Sequence, residues 1–135
     1  MTADAAARAG LGEKISEIEE AYEFMLAYAA QGHPRGMEGD HIRDYLGRAS
    51  AALNGIGEAA TAAAAAAGAD PAVFRPVVMM LDEDVRKAQA GLRLALSQRA
   101  ISSQLIDNLN ASIHLRALLT DLFLIDEAVA SMAHE

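Results

Sequence analysis

The chain has 135 residues, a formal net charge of −8, 53% hydrophobic residues and no cysteine. That length suits one domain able to bury a core of its own, and the missing cysteines exclude disulfides, thiolate metal sites and cysteine nucleophiles. The acidic balance, with no Trp and only three Tyr and three Phe, argues against a nucleic-acid partner, because phosphate binding needs a local excess of Lys and Arg.

Residues 1–10 carry Asp4 and Arg8 and no apolar run, so they read as a disordered lead-in and not as a signal peptide. Leu11, Ile15, Ile18, Tyr22, Met25 and Ala29 then recur at spacings of three and four. The pattern predicts a first helix from Leu11 to Ala30, closed by the Gly32–Gly36 segment with Pro34 inside it. Asp40 is placed to cap a second helix whose apolar positions are Ile42, Tyr45, Leu46, Ala49, Leu53, Ile56 and Ala60. It is expected to run through the alanines 62–67 to a stop at Gly68.

Asp70-Pro71 matches the N-cap and first-turn preferences of a third helix. Pro76 lacks an N–H and clashes one turn back, so a kink or a separate first turn is expected at 71–75, with the helix continuing to Gln98. Val73, Val77, Met80, Leu81, Val85, Ala88, Leu92 and Ala95 form its predicted buried stripe. Asp82–Arg86 and Glu83–Lys87 are spaced for ion pairs along its exposed face. A fourth helix is expected after a turn at 98–102, capped by Ser102 or Ser103. Its stretch from Leu115 to Met132 is apolar on most sides, which predicts burial all round.

No segment alternates at period two and no repeat recurs at a solenoid period. The expectation is an all-α fold, a single domain over 1–135 forming an antiparallel four-helix bundle. The run from Leu105 to Ile125 is broken by Asp107, His114, Arg116 and Asp121, so no membrane partner is expected. A soluble, cytoplasmic protein follows.

Residues able to carry chemistry are few. Glu38 and His41 stand three apart, the spacing by which carboxylate-bridged metal proteins place two ligands on one helical face. No second such pair occurs, and Gly39 argues that Glu38 lies in a loop. Ser103, Asp107, Asn110, His114 and Asp121 fall at helical spacings along the predicted fourth helix. A histidine flanked by Asn and Asp suits an acid, a base or a ligand, and the competing expectation is an ordinary solvated face. Gly47, Ala51, Gly55 and Ala59 line a small-residue groove that admits a close backbone or a ligand. Phosphate loops, nucleophile elbows and zinc patterns are absent, and no cofactor is expected.

From Leu115 to Ile125 the chain offers seven large apolar residues in eleven, more than one stripe hides within a single bundle. The function expected is therefore a non-enzymatic interaction module, such as a regulator, assembly factor or adaptor. It would act as a homodimer through Leu115, Leu118, Leu119, Leu122, Phe123, Ile125 and Val129, with another protein as a further partner. The alternative is a ligand- or metal-binding bundle. It would use Asp107, Asn110, His114 and Asp121, or the Glu38/His41 pair.

Overall fold

The computed structural model describes residues 2–32 and 41–133. Among them the fold is all-helical, with no strand. Among the described residues no helix is long and apolar enough to cross a membrane.

The first helix, α1, spans Ala3–Gln31. It begins before the expected Leu11 because Thr2 caps it, its Oγ1 accepting from the Ala5 N–H at 3.1 Å. Residues 3–10, expected to be disordered, are its first turns. Gly32 ends the helix in the left-handed region at φ 73°. Leu11, Ile15, Ile18 and Met25 are buried as expected, but so are Ala21 and Tyr28, whereas Tyr22 and Ala29 are only partly covered. Helices lie on both flanks of α1, which widens its buried sector beyond one seam.

The expected second helix is two. Helix α2 (Ile42–Leu53) stops where Asn54 turns extended and Gly55 takes φ 72°, and α3 (Ile56–Ala66) follows. Asp40, the predicted cap, lies outside the described residues. Lys14 reaches from α1 to the end of α2 and donates to the Asn54 carbonyl at 3.0 Å. It satisfies an acceptor that a finishing helix leaves unpaired. Gly68 closes α3 as predicted, at φ 81°, with the Ala69 N–H bonded to the Ala64 carbonyl.

Helix α4 spans Pro71–Leu96, and Asp70 caps it by accepting from the Ala72 N–H at 3.0 Å. Pro76 lies inside one continuous helix, not at a separate first turn. The carbonyl that loses its partner to Pro76 belongs to Ala72, and both residues are exposed, so water can take the missing donor's place. Val73 and Met80 leave the predicted stripe, 61% and 41% exposed, whereas Phe74 and Val77 of the same turns pack against the core. Arg43 of α2 closes the other end, donating to the Leu96 and Gln98 carbonyls at 2.8 Å each.

The expected fourth helix is also two. Ser102 caps α5 (Ser103–Ala111) by accepting from the Leu105 N–H. After Ser112, Ile113 sits at φ 61°, and α6 spans His114–Ala133. Helix α1 packs along α2 and α3 on one flank and along α5 and α6 on the other; α4 packs chiefly against α6, then α3 and α2. One continuous apolar core fills the space between them.

Candidate functional site

Breaking the fourth helix at Ser112 and Ile113 takes the predicted polar stripe apart. Ser103 is buried, its Oγ donating to the Tyr28 carbonyl at 2.7 Å. The Tyr28 hydroxyl in turn donates to the Ile101 carbonyl, so α1 is tied to the 97–102 connection and the start of α5. Asp107 is exposed. Asn110 donates to the Met25 carbonyl at 3.3 Å, which makes it another tie between α5 and α1. His114 is the first residue of α6 and partly exposed. Asp121 alone of the five meets another carboxyl group. The histidine-centred constellation is therefore not assembled: two members, Ser103 and Asn110, tie α5 to α1, and His114 stands apart from Asp121.

The Glu38/His41 pair cannot be joined, because Glu38 lies outside the described residues. His41 is exposed and sits 3.9 Å from the equally exposed Asp44. Among the described residues no group of three or more His, Asp or Glu is placed to hold a metal ion. The small-residue line of helix two divides as well. A Cβ at Gly47 would meet nothing within 4 Å, so no close packing explains that glycine. Gly55 serves the break between α2 and α3.

Gly57, two residues on, has no room for a side chain. A Cβ there would stand 3.0 Å from Cγ of Asp82, whose carboxylate lies against the start of α3. Asp82 faces that way in place of the predicted pairing with Arg86; among the described residues that ion pair does not form. A groove of about 870 Å³ passes Gly57, Thr61, Val78, Met79 and Asp82 between α3 and α4.

Six of the seven expected interface residues are covered within the single chain: Leu115, Leu118, Leu119, Leu122, Ile125 and Val129 are at most 5% exposed. The surplus of apolar groups is absorbed because α6 is flanked by α4, α1 and α3. Phe123 remains outward at 47%, and Leu124, beside it, at 58%. Sequence periodicity did not single out Leu124, since neighbours on an all-round apolar helix look alike.

The α4–α6 seam also buries polar groups. Asp121 is 7% exposed and lies beside Asp84 of α4. Burial pushes the Asp121 carboxyl up to about 7, and the neighbouring Asp84 carboxyl pushes the same way. Met80 precedes Asp84 by one helical turn and Leu124 follows Asp121 by one. Both exposed apolar side chains thus lie on the two helices that hold the acid pair.

In comparison with known proteins, no family model matches the chain, and neither a curated protein nor a solved structure does.

Proposed function

We propose that this chain is a non-enzymatic helical interaction module that pairs with a second copy of itself through the outward side of α6. In this reading the six helices make an antiparallel four-helix bundle, with α2–α3 as one bent column and α5–α6 as another. The bend after Gly55 and the bend at Ile113 let each column follow the neighbours it covers.

The observation that carries the reading is the outward pair Phe123 and Leu124, with Met80 and Val73 exposed on the neighbouring α4. Soluble monomers rarely leave large apolar groups clustered in water, and a two-fold contact covers such a face on both copies at once. The reading moves the interface from the seven residues the sequence suggested to the few that the chain's own core leaves over.

Sedimentation at micromolar concentration tests it. The wild-type chain is expected to run as a dimer, and Phe123→Glu or Leu124→Glu as a monomer with an unchanged circular dichroism spectrum. Leu122→Glu, which places a charge in the core, is expected to unfold the chain instead. A wild-type species of 14.2 kDa that persists at high concentration defeats the proposal.

A further inference from the structure

Asp121 and Asp84 meet across the α4–α6 seam in a setting that tolerates one negative charge better than two. Oδ2 of Asp121 is closed off from solvent and has no hydrogen-bond partner. Leu81, Ala88, Leu118 and Ile125, each one helical turn from one of the two acids, are all buried. Among the described residues neither carboxyl has a cation partner. Helix α6 also packs against α1, α3 and α5, yet the charged group acting on Asp121 comes from α4 and is Asp84 itself. Two neighbouring like charges in an apolar seam without a counter-ion repel strongly. With one proton between them, the same groups form a charge-assisted hydrogen bond that draws the helices together.

We propose that the Asp84–Asp121 pair is a proton-operated clasp on the α4–α6 seam: sharing one proton closes it, and losing that proton to water loosens it. The groups left exposed as the seam loosens would be Leu81, Leu118 and Ile125, which the closed fold covers. The raised affinity of Asp121 for its proton sets the working range near neutrality. The clasp acts within one chain and does not depend on self-association.

Hydrogen exchange of the α4 and α6 amides at pH 5.5 and pH 8.0, corrected for the intrinsic rate at each pH, tests it in the wild type, Asp121→Asn and Asp84→Asn. Wild-type protection around residues 118–125 is expected to fall roughly tenfold or more at the higher pH, since one pKa unit corresponds to a factor of ten. Asp121→Asn is expected to keep equal protection at the two pH values, and Asp84→Asn, in which burial alone still raises the Asp121 carboxyl, to show a smaller fall than the wild type. Asp84 is the less buried of the pair, so its variant remains informative if Asp121→Asn folds poorly. Every other titrating group is common to the three proteins, and the comparison therefore isolates the pair. Equal wild-type protection at both pH values overturns the clasp, and so does a loss that persists in Asp121→Asn or persists undiminished in Asp84→Asn.

Discussion

Asp82 lays its carboxylate over Gly57, occupying the space where any larger residue would begin its side chain. Gly57 is the second residue of α3, where unpaired N–H groups and the helix dipole favour a negative charge. The glycine therefore serves an electrostatic contact between α4 and α3.

A double-mutant cycle follows from that contact. Asp82→Asn is expected to lower stability by about 0.3–1 kcal/mol in the wild type and to have no effect once Gly57→Ala has displaced the carboxylate. Gly57→Ala alone should change little, because the helix-propensity gain of up to about 1 kcal/mol offsets the lost contact. Additive effects in urea denaturation would refute the coupling.

The tie between Tyr28 and the start of α5 makes a second prediction. Tyr28→Phe removes the hydroxyl that donates to the Ile101 carbonyl and leaves a buried acceptor unpaired, for a loss of about 1–3 kcal/mol. Ser103→Ala should cost about 1 kcal/mol, because the Tyr28 carbonyl it served lies within α1 and keeps helical bonding. Thermal melts in which Tyr28→Phe is the milder of the two would contradict this ordering.

The pH dependence has a definite sign. Asp121 holds its proton in the folded chain up to about pH 7, whereas its ordinary value is 3.8. Between those limits the folded state binds a proton that the unfolded state has released, so stability falls as pH rises through this window and levels off above it. Asp121→Asn is expected to be more stable than the wild type by roughly 2–4 kcal/mol at pH 8 and nearly equal to it at pH 4.5. Denaturant titrations showing no gain at pH 8 would rule this out.

Ile113 is a β-branched residue held at φ 61°, yet its side chain is 58% exposed. The left-handed region costs a residue of this kind about 1–2 kcal/mol, and little burial is lost if the side chain goes. Ile113→Gly should raise stability by about 1 kcal/mol, read as a higher denaturation midpoint. A drop of the same size would show that the side chain packs more tightly than its exposure suggests.

These residues also mark how far the sequence could be read. Asp70-Pro71 and Gly68 announce helix ends through residue types that belong there, and both ends lie where expected. Gly55 carried a break signal, but it also fitted a line of small residues, and local pattern alone does not choose between the two. Ile113 carried no signal at all, because a β-branched residue is a poor candidate for a left-handed turn. Asp121 stood out as a charge on an apolar helix, whereas Asp84 looked like one more acid on an exposed face. Their meeting depends on how α4 lies against α6, which no local spacing encodes. Six of the seven residues expected at an interface are covered within the chain for a related reason: an all-round apolar helix does not reveal which side its own chain will cover.

The ties on Tyr28 and Met25 have a consequence for the order of events during synthesis. Both residues are made early, yet the groups that bind them, Ile101, Ser103 and Asn110, emerge only when most of the chain has left the ribosome. A nascent chain can lay α2 and α3 against one flank of α1 long before anything covers the other. That open flank is the surface a chaperone would meet, and it closes only when α5 arrives.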